Sequence, residues 1–202
     1  MKTLRIGADP FPPYQYYDDN GQIQGTDYLT VKAVVEKMGY KAEYIIDDWS
    51  KIEKMLIDKE IHMAFQVQKT PEREKLYYFS DKLRDAKTVI VTSSDNIHHQ
   101  NIDDLFVDGS KLGVIENYKY GDIIDSIEEG NKTNYKSLED LLNEVDNGLI
   151  SYGVADYGVY NYMNRGNVYK NLVIMENLIF NRPLFVVFKD NMLRDQFNKH
   201  LI

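Results

Sequence analysis

The sequence lacks several features that would point to particular classes of protein. Its 202 residues include no cysteine, which excludes a disulfide framework, a thiolate metal site and a cysteine nucleophile. No apolar run approaches the roughly 20 residues that a membrane-spanning helix needs. Glycine-rich phosphate loops, HExxH and GxSxG motifs are also missing, so neither a metal nor another cofactor is expected.

Basic residues are fewer than acidic residues. Lys and Arg number 24 against 32 Asp and Glu, a net charge of −8. A nucleic-acid surface needs clustered Lys and Arg to displace counterions, so a nucleic-acid partner is not expected. With 43% hydrophobic and 12% aromatic residues, the chain has enough apolar surface for one large or two small folded domains.

The start of the sequence does not show the pattern of a signal peptide. The first residues lead directly into a strand-like segment without the apolar region of a signal peptide. We therefore expect either a cytoplasmic protein or a mature or excised segment of an exported one.

The first third of the chain alternates predicted strands and helices. Strands are predicted at 4–7, 42–46 and 61–67, and helices at 28–38 and 50–58. This βαβαβ order predicts an α/β fold with a parallel sheet.

The rest of the chain continues in the same order. Strands are predicted at 88–91, 112–115, 149–155, 172–175 and 184–188, and helices at 102–106, 120–128, 137–145, 157–164 and from about 191 to the end. A helix followed by a strand occurs at 50–67 and again at 137–155, and Arg73 and Asp156 follow those strands. Ligands collect at the carboxyl ends of strands in such sheets, so two facing units would form a cleft with an arginine on one wall and an aspartate on the other.

Several short motifs resemble the bacterial extracellular solute-binding proteins of family 3, the polar-amino-acid-binding periplasmic proteins. The Thr-Pro-Glu-Arg segment at 70–73, followed by Phe-Ser-Asp at 79–81, is the most specific of them. The others lie at 7–14, 25–27, 48–49, 112–114 and 154–156. The strings at 69–75 and 116–120 are closer to the sensory branch of the fold, found on histidine kinases and diguanylate cyclases.

This resemblance implies a two-lobed, type II periplasmic-binding-protein-like fold in which each lobe has a parallel-rich sheet flanked by helices. Lobe one would comprise 1–83 and 190–202, and lobe two, inserted through a two-strand hinge, 84–189. The implied function is binding of a small solute, an amino acid or a related carboxylate, in the interlobe cleft with hinge closure. The partner would be a membrane permease of an ABC transporter or an attached membrane-spanning signalling protein, and the location periplasmic or extracytoplasmic.

Two charged residues are the main candidates for ligand contacts. The resemblance assigns Arg73 to the ligand's α-carboxylate, which a planar guanidinium holds with parallel hydrogen bonds. The alternative is a solvated arginine in a charged run. Asp156 would pair with the ligand's ammonium, and its alternative is the N-cap of the following helix.

The remaining candidates would line the pocket. Phe11 and Trp49 are expected to form an aromatic wall, unless they only pack in the core. Gln66 and Gln68 lie at alternate strand positions where amino-acid binders carry Ser or Thr, so both are expected to face the ligand or else to bind neighbouring loops. Tyr118 would donate its phenol to the ligand or fill the pocket.

Two other functions remain open from the sequence. A cyclohexadienyl or arogenate dehydratase has the same fold with an acidic catalytic residue, for which Asp156 and Glu116 are the candidates. A ligand-free lobe that only transmits protein contacts is the other alternative. The tandem His98–His99 is a poor chelate, because adjacent side chains point apart.

Overall fold

A computed structural model of the protein describes residues 2–93, 99, 101–116 and 118–201. The chain divides into two units, unit 1 with Met1–Asp85 and Pro183–Ile202, and unit 2 with Ala86–Arg182. The chain therefore passes between the units after Asp85 and again after Arg182. The division into lobes at 84–189 with a two-strand hinge stays a prediction.

Unit 1 is built on a sheet whose central strands are parallel. The strands of unit 1 are β1 (Thr3–Ala8), β2 (Tyr16–Tyr17), β3 (Ile23–Gln24), β4 (Lys41–Ile46), β5 (Met63–Gln68) and β6 (Tyr78–Phe79), of which β2 and β3 pair with each other as a separate hairpin. The helices of unit 1 are α1 (Thr26–Lys37), α2 (Trp49–Ile57), α3 (Pro71–Glu74) and α7 (Asn191–Asn198). Strand β1 pairs in parallel with β4 and β5, which is the predicted βαβαβ arrangement. Strand β5 also pairs antiparallel with Leu184–Phe188 at the end of a long strand, β11 (Leu172–Phe188).

Helices cover both faces of the unit 1 sheet, so consecutive residues of its central strands are buried. Leu4, Ile6 and Ala8 of β1 pack in one hydrophobic cluster with buried valines of α1. Ile52 and Leu56 of α2 lie in a second cluster with Ala64 and Val67 of β5. Parallel strands in open α/β sheets are typically buried on both faces. Ligands of such sheets bind at the carboxyl ends of the strands.

The described part of unit 2 contains five strands and has its own hydrophobic core. Its elements are β7 (Arg84–Ser93, entering from unit 1), β8 (Leu112–Ile115), α4 (Asp122–Asp125), β9 (Lys132–Tyr135), α5 (Leu138–Asp146), β10 (Tyr152–Asp156), α6 (Tyr157–Met163) and the first part of β11, with 3-10 helices at Ile102–Phe106 and Glu129–Asn131. The strand order is β11-β7-β10-β8-β9. Strand β8 pairs in parallel with both β9 and β10, and β10 pairs antiparallel with β7.

Two glycines allow helix α5 to approach this sheet closely. Gly113 of β8 and Gly153 of β10 are directly opposite each other in the ladder. A Cβ on Gly113 would lie 2.2 Å from Leu141 Cδ1, and one on Gly153 would lie 3.2 Å from the same atom. The missing side chains therefore make room for Leu141, which is fully buried in the unit 2 core.

The structure differs from the predicted elements at several places, of which three concern the larger elements of unit 2 and β11. The helix predicted at 120–128 is wrong, because the chain forms a single turn at Asp122–Asp125, whose Asp125 carboxylate accepts hydrogen bonds from the amides of Tyr120 and Gly121. Strand β9 was not predicted, because its sequence is largely polar. The strands predicted at 172–175 and 184–188 form one strand, β11, which Pro183 does not interrupt. In the part of the chain that the structure describes, no helix has the length and apolar character to cross a membrane.

Candidate functional site

Arg73 is positioned by a single helical turn at the carboxyl end of β5. Helix α3 begins with Pro71 at its first position, and the Thr70 hydroxyl accepts a hydrogen bond from the Arg73 amide at 3.3 Å. Proline presets the backbone for a helix start, and threonine is a favoured N-cap. The Thr-Pro-Glu-Arg sequence thus fixes the point from which the Arg73 side chain projects.

Three contacts hold the Arg73 guanidinium. Its Cζ lies 5.0 Å from the centre of the Trp49 ring, its Nη1 donates to the Gln68 carbonyl oxygen at 3.1 Å, and its Nε lies 3.6 Å from Glu53 Oε1. The side chain is only 18% exposed. These contacts, as far as the described residues show, use Nε and Nη1, so Nη2 is left for a further acceptor. The structure thus brings together the predicted residues Trp49, Gln68 and Arg73, and adds Glu53; we call these four the Arg73 cluster.

A second group in unit 1 joins the N-terminal turn to strand β5. The Phe11 ring stacks on Tyr14 with 6.0 Å between ring centres, and the Phe11 amide donates to the Gln15 carbonyl oxygen at 2.7 Å. The buried Gln15 amide donates to Gln66 Oε1 and to the Asp9 carbonyl oxygen. Gln66 has a φ of 64° and lies where the register between β5 and β11 shifts. This geometry is that of a β-bulge. Gln15 therefore connects Phe11 in the N-terminal turn with Gln66 in strand β5.

Four of the eight buried side-chain polar atoms that lack a hydrogen-bond partner among the described residues lie in these two groups. Among the described residues, no hydrogen-bond partner is found for Trp49 Nε1, Gln66 Nε2, Gln68 Oε1 or Gln15 Oε1. Folded proteins satisfy most buried polar atoms, and each unsatisfied one costs about 1–3 kcal/mol. The set contains two donors and two acceptors, so a polar solute with both kinds of group is a suitable complement.

Asp156 lies in unit 2 at the junction between β10 and α6, with its side chain 2% exposed. Its Oδ1 accepts hydrogen bonds from the amides of Gly158 at 2.9 Å and Val159 at 3.2 Å, so it is the N-cap of α6. Its Oδ2 lies 3.3 Å from Nη2 of Arg182. The N-cap alternative considered for Asp156 is therefore present, together with an ion pair that the sequence did not predict.

Tyr118 lines a cavity of about 530 Å³ within unit 2. Its ring centre lies 6.2 Å from that of Tyr120, whose buried hydroxyl accepts a hydrogen bond from the Ile115 amide at 2.9 Å. Burial raises the pKa of the Tyr120 phenol well above its ordinary value. Tyr118 itself is 41% exposed, so it does not fill the interior of unit 2.

Sequence reasoning missed several residues of these groups. Glu53 and Gln15 are close to the predicted residues only in the folded chain, and Arg182 is separated from Asp156 by 26 residues. Arg84 was also missed; its Nε donates to both carboxylate oxygens of Asp27, at 3.0 and 2.7 Å, inside unit 1. No local sequence pattern links an arginine to a carboxylate so far away in the chain.

Metal binding receives no support from the described residues, which include no group of three or more His, Cys, Asp or Glu side chains arranged to hold an ion. Of the predicted His98–His99 pair, His98 lies outside the described residues, as does Asn117 within the 116–120 string.

The sequence was also compared with known protein families. Residues 4–201 match the bacterial extracellular solute-binding proteins, family 3. The chain belongs to this family. The resemblance that the sequence motifs predicted is therefore confirmed, and so is the prediction of a solute-binding protein.

Two curated relatives of this solute-binding protein carry amino-acid-binding names. The arginine-binding extracellular protein ArtP of Bacillus subtilis is 28% identical over 207 residues, covering 99% of this chain and 80% of ArtP. A probable amino-acid ABC transporter-binding protein of Haemophilus influenzae is 31% identical over 106 residues, which cover 52% of this chain. That match spans only 41% of the Haemophilus protein.

Solved structures confirm the predicted α/β fold of type II periplasmic binding proteins. Holo ArgBP from T. maritima has a TM-score of 0.79 and 25% identity, with 98% of this chain and 88% of that chain covered. A histidine kinase sensor domain described as similar to periplasmic binding proteins has a TM-score of 0.84, 21% identity and coverage of 98% and 88%. At that identity the sensor domain shows the fold alone.

Proposed function

We propose that this solute-binding protein binds a small carboxylate solute, an amino acid or a close analogue, with Arg73 as the anchor for the carboxylate. The observation that carries the proposal is the Arg73 cluster. Its guanidinium is held by an aromatic face, a backbone carbonyl and one carboxylate at low exposure. Contacts that fix a charged side chain in this way reduce the entropy lost on binding.

The other predicted residues take supporting roles in this proposal. Trp49, Gln66 and Gln68 offer buried polar atoms that lack partners among the described residues, and a ligand's polar groups would satisfy them. Phe11 supplies an aromatic surface. Tyr118 and Asp156 are the proposed site residues of lobe two, with lobe one at 1–83 and 190–202, lobe two at 84–189, and closure about the hinge as the binding-coupled motion.

We further propose that the protein is not an enzyme and acts outside the cytoplasmic membrane. The family's description as extracellular solute-binding proteins supports the location. Its partner would be an ABC transporter permease, as the relative named for such a transporter suggests, or an attached signalling protein, as the sensor-domain likeness suggests. Neighbouring permease genes would identify a transport receptor, and a downstream membrane span with an output domain would identify a sensor.

A thermal-shift screen against the twenty amino acids tests the proposal directly. A ligand at one hundred times its Kd stabilises the folded state by about 2.7 kcal/mol. For a chain of this size we expect the Tm to rise by about 5 °C or more with at least one amino acid at 1 mM, if its Kd is about 10 μM.

The opposite results point to the alternatives considered from the sequence. Failure of every amino acid and of their hydroxy-acid analogues to raise the Tm at 10 mM would support a ligand-free lobe that transmits protein contacts. Turnover of prephenate or arogenate by the purified protein would contradict a purely binding role.

A further inference from the structure

Asp156 was predicted to pair with the ammonium group of a ligand. In the structure its carboxylate forms an ion pair with Arg182 of the protein itself. Arg182 Nη2 lies 3.3 Å from Asp156 Oδ2, and the two side chains are 12% and 2% exposed. At this burial a Coulombic attraction is screened far less than on the surface. The negative charge of Asp156 is therefore balanced inside unit 2 before any ligand is present.

The same arginine also ties down the loop that follows β8. Its Nη1 donates to the Lys119 carbonyl oxygen at 3.2 Å, next to the exposed Tyr118. Asp156 Oδ1 is meanwhile engaged by the amides of Gly158 and Val159. One guanidinium thus holds both the Asp156 carboxylate and the loop backbone at Lys119, and both Asp156 oxygens have donors from the protein.

A ligand ammonium at Asp156 would have to displace Arg182 or share its acceptor. Displacement would break a buried charge pair, which is strongly unfavourable. A ligand that has a carboxylate for Arg73 but no α-ammonium avoids this cost.

We propose that Arg182 is a specificity-determining residue that substitutes for the ligand's α-ammonium at Asp156, so that the protein accepts carboxylates without an α-amino group. The ligand class is then 2-hydroxy and related acids alongside amino acids. This inference rests on the proposed function, because it takes Arg73 to be the carboxylate anchor.

Titration calorimetry with matched pairs of ligands tests the inference. The pairs are L-alanine and L-lactate, L-leucine and L-2-hydroxyisocaproate, L-phenylalanine and L-phenyllactate, L-glutamate and L-2-hydroxyglutarate, and L-arginine and its 2-hydroxy analogue argininic acid. For any pair that binds the natural protein, we expect the hydroxy acid to bind within about threefold of the amino acid, or more tightly. A preference for the amino acid of about tenfold or more, the effect of one charge-assisted hydrogen bond, would overturn the inference.

Substitutions at Arg182 provide the second readout. Arg182→Gln removes the cation, so the ratio of affinities should shift toward the amino acid by about tenfold or more, while Arg182→Lys should restore the natural ratio. The control is Arg165→Gln, which removes an exposed arginine stacked on Tyr162 in the same unit. An unchanged ratio in a folded Arg182→Gln protein would overturn the inference; if that variant does not fold, the ratio for the natural protein decides.

Failure of the inference and failure of the proposed function give different results. If amino acids bind and Arg73→Gln weakens their binding by about thirtyfold or more, but hydroxy acids do not bind, only the role of Arg182 is wrong. If no member of any pair binds the natural protein, the carboxylate-binding function is wrong and the role of Arg182 fails with it.

Discussion

Replacement of Arg73 by glutamine is expected to weaken the binding of carboxylate ligands by about thirtyfold or more. Glutamine keeps hydrogen-bond donors at this position but loses the charge and the paired N–H groups that match a carboxylate. Loss of one partner of a hydrogen-bonded charge pair costs about 2 kcal/mol or more in binding, and a cost of 2 kcal/mol is about a thirtyfold rise in Kd. Titration calorimetry with the best ligand of the thermal-shift screen measures this change.

Arg5→Gln is the matched control for the Arg73 variant. Arg5 is also in unit 1 and pairs with a carboxylate, Glu43 Oε1 at 3.5 Å, but its side chain is 38% exposed. Exposed pairs contribute about 0–1 kcal/mol, so this variant should keep both its stability and its ligand affinity. An unchanged affinity in a folded Arg73→Gln protein would remove Arg73 from the site.

Substitution of Gly25 by alanine is expected to lower the free energy of unfolding by about 3 kcal/mol or more. Gly25 precedes α1 with a φ of 121°, and a Cβ there would lie 2.1 Å from the Tyr14 carbonyl oxygen. That oxygen accepts hydrogen bonds from the amides of Asp27 and Tyr28, at 3.0 and 3.2 Å, and so caps the start of α1. Alanine would separate the N-terminal turn from the helix, which urea denaturation would detect as a lower midpoint.

Gly21→Ala controls for the cost of the backbone conformation alone. Gly21 also has a positive φ, 73°, but a Cβ there would meet nothing within 4 Å. We expect a loss of about 1 kcal/mol for this variant. Equal losses for the two variants would show that the close approach to Tyr14 is not what requires glycine at position 25.

Local sequence patterns were sufficient for most of the fold. Periodic apolar residues identified α1 and α2, and a capping-box-like start at Ser137 identified α5. Buried strands such as β5 and β8 were found close to their observed bounds. Strand β9 was missed because it is the edge strand of the unit 2 sheet, and edge strands tolerate the polar side chains that its sequence carries. Strand β11 was divided in two because its middle is polar and contains Pro183, features typical of a loop.

In the candidate site, too, local sequence signals were readable and contacts between distant residues were not. The position of Arg73 follows from a local signal, because an N-cap threonine and a proline define the turn that carries it. The partners of these residues come from distant parts of the chain: Glu53 reaches Arg73 from α2, and Arg182 reaches Asp156 from β11. Such pairings depend on tertiary packing, so sequence reasoning identified Asp156 but not the cation that occupies it.

A crystal structure of the protein with the most stabilising carboxylate of the thermal-shift screen tests the central claim most directly. The account predicts the ligand's carboxylate within about 3 Å of the Arg73 guanidinium nitrogens, with Trp49 still stacked on the arginine. A carboxylate bound away from Arg73, with the guanidinium engaged only by Glu53 and the Gln68 carbonyl oxygen as it is here, would contradict it.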